Sequence, residues 1–102
     1  MLKGSYTLEG VRGLVDQGGS ARKSAVQALI KGVGGKLESV YFAFGSTDVF
    51  VIADLPGNEA AAAVALAVAA SGGVTVETTV LLTPQEMDAA TQQPVTYRPP
   101  GS

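Results

Sequence analysis

The sequence contains neither cysteine nor histidine among its 102 residues. Their absence excludes disulfide bonds, thiol nucleophiles, imidazole bases, haem ligation through either residue and zinc sites of the usual type. Carboxylates alone can hold Mg²⁺ or Ca²⁺, but the nine acidic residues form no cluster within a short loop. We therefore expect a protein with no metal ion and no bound cofactor.

Charge and long apolar runs are also scarce. Seven basic residues against nine acidic ones give a net charge of −2 without a basic stripe, so we expect no binding to nucleic acid. The longest apolar run, Ala60–Ala70, is about half as long as a membrane-spanning helix requires. Met1–Ser5 lacks the pattern of a secretory signal. These features predict a cytoplasmic protein that does not bind membranes.

The length of the chain allows one domain with one hydrophobic core. We place this domain at residues 1–91 and interpret residues 92–102, which contain several prolines, as an extended tail. Hydrophobic periodicity and turn residues predict the elements of the domain. The predicted strands are Leu2–Leu8, Leu37–Phe44, Asp48–Asp54 and Val74–Leu82; the predicted helices are Ser20–Val33, Glu59–Ala70 and Pro84–Thr91; Gly10–Gly19 is predicted as a loop with one helical turn.

The order of these elements is strand, helix, strand, strand, helix, strand and a closing helix. It predicts an α+β protein with the ferredoxin-like split βαβ fold (βαββαβ), in which an antiparallel sheet carries both main helices on one face. The first strand contains Gly4 and has a weak pattern, which suits an edge position.

Alternation along the predicted strands divides the sheet into two faces, and both are apolar. A helix-free face of this kind is too apolar for a monomer, so we predict a homodimer in which two sheets pack face to face as a dimeric α/β barrel. A bulge or a one-residue slip would invert the faces without removing the dimer. The residues assigned to the helices are Val40, Phe42, Phe44, Val49, Val51, Val74, Val76 and Val80; those assigned to the helix-free face are Leu37, Tyr41, Ala43, Phe50, Ile52, Thr75, Glu77, Thr79 and Leu81.

Several segments together suggest a family. They are Gly4–Arg12, Gly34–Lys36, the strand pair of residues 44–56, the alanine-rich helix and Val76–Thr78. With these segments the chain resembles the GYD-domain family of small bacterial proteins over residues 2 to about 90. The resemblance implies the ferredoxin-like dimer and no particular reaction. Gly45 and Asp48 of the family's motif are present, whereas Thr47 stands where the family has tyrosine.

Three residues are candidates for acid–base chemistry. Asp48 follows a turn, where it either caps backbone N–H groups or acts as a general base. Glu77 is either an edge-strand carboxylate, which faces solvent or pairs with Lys36 or Arg12 across the dimer, or a desolvated acid inside the barrel. Tyr41 has an apolar ring and a phenolic hydroxyl, which suits either an interface or a site.

These candidates leave three hypotheses, and the sequence does not decide whether the protein is an enzyme. The first is a homodimer that binds a small apolar or aromatic molecule in an apolar pocket, with Tyr6, Tyr41, Phe50, Ile52 and Thr79 as binding residues. The second is a cofactor-free enzyme that uses Asp48, Glu77 and Tyr41 on an aromatic or polyketide-like substrate. The third is a structural or interaction module that docks through Tyr97–Pro100.

Two of the arginines are further candidates for contact with an anionic ligand. Arg12 and Arg22 are either surface cations or groups that recognise a carboxylate or phosphate. Arg22 lies near the start of the first predicted long helix, where the helix dipole also favours an anion.

Overall fold

The computed structural model describes residues 1–101, which form four strands and four helices. The predicted tail beyond residue 91 contains no helix or strand up to residue 101, and its last residue, Ser102, lies outside the described residues. In chain order the elements are β1 (Leu2–Tyr6), α1 (Leu8–Gln17), α2 (Gly19–Gly32), β2 (Lys36–Phe42), β3 (Val49–Asp54), α3 (Asn58–Ala70), β4 (Val74–Thr78) and α4 (Pro84–Thr91).

The strands form one antiparallel sheet in the order β2-β3-β1-β4. This α+β arrangement is compatible with the predicted ferredoxin-like fold. The edge position predicted for the first strand is wrong, because β1 lies between β3 and β4, with Leu2 opposite both Val51 and Thr78. The central position buries Leu2, and the other strands shield a segment whose own pattern is weak.

The hydrophobic core lies between the sheet and the helices. Ile30 of α2 and Val64 of α3 are the most deeply buried side chains, and they pack with Leu2, Val49 and Val51. Helix α2 packs on the edge strand β2, while α3 packs on the opposite edge strand β4. The two helices therefore flank the central strands β1 and β3.

A register shift in β2 corrects the predicted position of Leu37. Val40 lies opposite Val51 and Leu37 lies opposite Ala53, with the irregularity between Leu37 and Ser39. The extra residue reverses the alternation, so Leu37 packs against the core and not on the helix-free face.

The strands are shorter than predicted, so five other residues that were assigned to a face lie beyond the strand ends, namely Ala43, Phe44, Thr79, Val80 and Leu81. Strand β2 ends at Phe42 and β4 ends at Thr78. Phe44 is fully exposed in the following turn, and Val80 and Leu81 are exposed beyond β4. Phe44 and Val80 therefore do not meet the helices, and Leu81 does not belong to the sheet.

The predicted glycine-rich loop is in fact mostly helical. Thr7 caps α1, because its side chain accepts a hydrogen bond of 3.3 Å from the N–H of Gly10. Gly18 ends this helix with a φ of 83°, a left-handed conformation that favours glycine. The glycines within α1 lower its helix propensity. For this reason the sequence pattern did not predict a full helix here.

The C-terminal part of the chain extends away from the sheet. Helix α4 begins with a capping box, in which Thr83 and Glu86 exchange hydrogen bonds of 3.0 and 3.1 Å. The hydrogen bonds from Thr83 lower the pKa of Glu86. Every residue from Val80 to Gly101 is exposed, and the molecule is 57 Å long but only 23 Å thick.

Candidate functional site

An apolar cavity of about 80 Å³ lies between the sheet and helices α2 and α3. It forms where the two helices leave the middle of the sheet uncovered, and short valine side chains only partly fill the space. Strand residues supply one wall, and helix residues supply the other. The apolar lining consists of Leu2, Val49, Val51, Val74 and Val76 from the strands and Ala25, Val26, Leu29, Ile30, Val64 and Val68 from the helices.

Gly4 of β1 also lines the cavity. A Cβ atom at this position would lie 2.8 Å from Cγ1 of Val49 and 2.9 Å from Cγ2 of Val74. These contacts are too close for any side chain, so the packing of the neighbouring valines depends on glycine at position 4.

Three of the lining residues have polar side chains, namely Lys3, Tyr6 and Arg22, and the side chain of Lys3 is paired with Glu77. Tyr6 packs against the hydrophobic core. The Nε atom of Arg22 is buried, and residues 1–101 provide it with no hydrogen-bond partner. Tyr6 is therefore the one residue of the predicted ligand-binding set that lines this cavity. Arg22 contributes a positive charge to the cavity lining.

Asp48 connects the turn before β3 to strand β1. Its carboxylate oxygen Oδ2 accepts a hydrogen bond of 2.8 Å from the N–H of Tyr6, and its own N–H donates one of 2.8 Å to the carbonyl of Gly4. This geometry is that of a residue that caps a backbone group. Asp48 is not among the residues that line the cavity.

The other two candidates for acid–base chemistry lie in one row across the sheet. The pairing places Tyr41 beside Phe50, Phe50 beside Lys3 and Lys3 beside Glu77. The Nζ atom of Lys3 lies 3.5 Å from Oε1 of Glu77, whose side chain is 74% exposed. Within the chain, the partner of Glu77 is thus Lys3 and not Lys36 or Arg12.

Lys3 is the member of this row that the sequence analysis missed. The alternation of buried Leu2, Lys3 and buried Gly4 could have placed Lys3 on the helix-free face. Its position beside Glu77 follows only from the register of β1 and β4, which a single sequence does not disclose.

Ile52 and Thr79 line a different space, a groove of about 610 Å³ between the sheet and the start of the C-terminal arm. We use the name C-terminal arm for residues 80–101. Arm residues Val80–Thr83 form one side of the groove, and Met1 and Leu55 are among the residues of the other side. The structure therefore distributes the predicted binding residues over three places, with Tyr6 in the cavity, Tyr41 and Phe50 on the helix-free face, and Ile52 and Thr79 at this groove.

Neither a metal cluster nor a membrane-spanning helix occurs in the described part of the chain. Among residues 1–101, no three acidic side chains are grouped so that they could hold a metal ion. Within the same range, no helix combines the length and the apolar character needed to cross a bilayer.

The fold and the cavity define a small α+β protein with an antiparallel four-stranded sheet and an apolar space beneath its helices. A family model described as the GYD domain matches residues 1–91, and the chain belongs to this family. No curated protein and no solved structure matches the chain.

The family motif has a clear structural role in this chain. Gly45 has a φ of 114°, which glycine adopts readily and other residues rarely do. Asp48 accepts a hydrogen bond from the N–H of Tyr6. Thr47, at the position of the family's tyrosine, is half-buried in the turn between these two residues.

Proposed function

We propose that the protein binds a small apolar organic molecule in the cavity between the sheet and helices α2 and α3. The observation that carries this proposal is a space of about 80 Å³ with an almost wholly aliphatic lining. Protein interiors are normally close-packed, and apolar cavities are suited to apolar ligands. The few polar groups at this cavity match the usual composition of small-molecule sites.

The experiment compares a variant that fills the cavity with one that adds the same bulk elsewhere. Val26 lines the cavity and is half-buried, whereas Val15 of α1 is exposed. In a thermal-shift series with straight-chain alcohols of four to eight carbons, the unchanged protein and Val15→Phe are expected to be stabilised as the alcohol concentration rises. Val26→Phe is expected to lose this response. An equal response in all three proteins would contradict binding in the cavity.

We also propose that the protein is a homodimer whose sheets pack through their helix-free faces. Tyr41 is 64% exposed, and Phe50 lies beside it in the sheet. The charges of Lys3 and Glu77 on the same face compensate each other, so that burial of this pair removes no net charge from water. The exposed apolar segment Val80–Leu82 adds surface that a second subunit would cover.

The acid–base enzyme receives less support than the binding protein. The carboxylate of Asp48 is engaged with the N–H of Tyr6, and that of Glu77 is exposed and paired with Lys3. Neither carboxylate lines the apolar cavity, so neither can act as a general base on a molecule bound there.

A further inference from the structure

We infer that the preferred ligand of the cavity is a short aliphatic carboxylate whose charged end is bound by Arg22. This inference rests on the proposed binding function and adds the chemical class of the ligand. It is carried by the buried Nε atom of Arg22, which has no hydrogen-bond partner within residues 1–101, together with the apolar space that Arg22 helps to line.

The buried donor of Arg22 favours an anionic ligand. Its Nε atom is buried, and no group within residues 1–101 accepts its hydrogen bond. A buried donor of a charged group that lacks a partner destabilises the fold. A carboxylate matches the planar donor arrangement of a guanidinium and can accept two parallel hydrogen bonds from it. A bound carboxylate would therefore supply the missing partner.

The charge around the cavity favours an anion with one negative charge. Arg22 and Lys3 are the charged residues among those that line it, and no acidic residue is among them. Lys3 is paired with Glu77, so Arg22 is the lining residue whose charge has no ion-pair partner among residues 1–101. One guanidinium neutralises a singly charged carboxylate, whereas a doubly charged phosphate would leave excess charge in an apolar space. The charge balance thus favours the carboxylate.

The start of α2 also favours a negatively charged ligand. Its first turn contains no acidic residue, and its N-cap, Gly18, provides no side-chain hydrogen bond. Arg22 lies close to this helix start, where the helix dipole also favours negative charge. The helix dipole and the guanidinium of Arg22 therefore both favour a negative charge on the ligand.

The volume of the cavity limits the length of the ligand. A water molecule needs about 10–15 Å³ of space measured in this way, so the cavity of about 80 Å³ has room for about five to eight non-hydrogen atoms. The lining is aliphatic, without aromatic residues other than Tyr6. A straight chain of about six carbons fits this volume, with its carboxylate at Arg22.

The test compares hexanoate with hexan-1-ol, which has the same chain length and no charge. Both are titrated at pH 7 into the full chain, with the methyl signals of Val26, Val64 and Val76 followed by NMR. We expect hexanoate to bind at least about tenfold more tightly than hexan-1-ol, since a hydrogen bond to a charged group accounts for about a ten- to hundredfold difference in affinity.

Variants then assign the difference to Arg22. Arg22→Gln is expected to lose the preference for hexanoate and to keep its affinity for hexan-1-ol, which also reports an intact cavity. Arg22→Lys, which keeps the charge, is expected to retain part of the preference, and it carries the test if Arg22→Gln does not fold. Lys23→Gln removes an adjacent exposed cation and is expected to behave like the unchanged protein.

The outcomes separate this inference from the proposed function. Equal affinities for hexanoate and hexan-1-ol, or a preference that survives in Arg22→Gln, would overturn the role of Arg22 while leaving an apolar binding site. Failure of both ligands to cause saturable shifts at the cavity methyl groups would overturn the binding function and this inference with it.

Discussion

At the scale of single residues, the turn before β3 shows how a short motif acts through the backbone. Gly45 permits a left-handed conformation, and Asp48 accepts the N–H of Tyr6 in the neighbouring strand. Asp48 was predicted either to cap the backbone or to act as a base, and its geometry supports the first role. The sequence could place Asp48 at a turn, but its acceptance of a hydrogen bond from a residue 42 positions away depends on the tertiary fold.

We predict that Asp48→Ala destabilises the protein by about 1–3 kcal/mol, because it leaves a half-buried N–H without an acceptor. Asp48→Asn retains a side-chain oxygen at this position and is expected to recover most of the loss. Urea unfolding measures both values. Equal stability of the alanine variant and the unchanged protein would show that the hydrogen bond is not important for the fold.

At the scale of elements, helix α1 depends on a close approach between Gly10 and the turn before β4. A Cβ atom on Gly10 would overlap the carbonyl oxygen of Gly73. The N–H of Thr7 also donates a hydrogen bond of 3.0 Å to this carbonyl group. A glycine that weakens the helix locally is therefore required by the packing of the helix start.

Two glycines of the same helix provide a matched test of this contact. Gly10→Ala is expected to cost about 1–3 kcal/mol of stability, because the added methyl group forces the backbone apart. Gly13→Ala meets nothing within 4 Å and is expected to stabilise the protein by about 0.5–1 kcal/mol through better helix propensity. Thermal or urea unfolding of the two variants measures these changes, and similar effects of both would contradict the close approach.

The elements also show what a single sequence can predict. The three predicted helices and all four predicted strands are present, because hydrophobic periodicity marks them well, although β2 and β4 end earlier than predicted. The bulge that turns Leu37 toward the core could not be predicted from the sequence pattern, since both faces of β2 are apolar. The cavity could not be predicted from the sequence either, because the residues that line it come from five separate elements.

At the scale of the whole molecule, the chain has one hydrophobic core and several exposed apolar surfaces. Tyr41 on the helix-free face and Val80, Leu81 and Leu82 at the start of the C-terminal arm are all exposed. Exposed patches of this kind usually mark interfaces, and a second copy of the chain would cover both surfaces. Size-exclusion chromatography with light scattering is expected to give twice the mass of one chain.

A charge on the helix-free face should disrupt the proposed dimer. Tyr41→Asp is expected to weaken association by at least about tenfold, because it places an unpaired carboxylate within an apolar interface. Leu66→Asp introduces the same charge at an exposed position of α3 and is expected to leave the dimer intact. A monomeric unchanged protein, or equal dissociation of both variants, would argue against association through this face.

The central claim is that the space beneath the helices binds a small apolar molecule, and its most direct test is an NMR titration of the isotope-labelled full chain with hexan-1-ol. The account predicts saturable shifts of the methyl signals of Val26, Val64 and Val76, with no comparable shift at Leu66, which is exposed on α3. The absence of saturable shifts at the cavity methyl groups up to the solubility limit of the alcohol would contradict it.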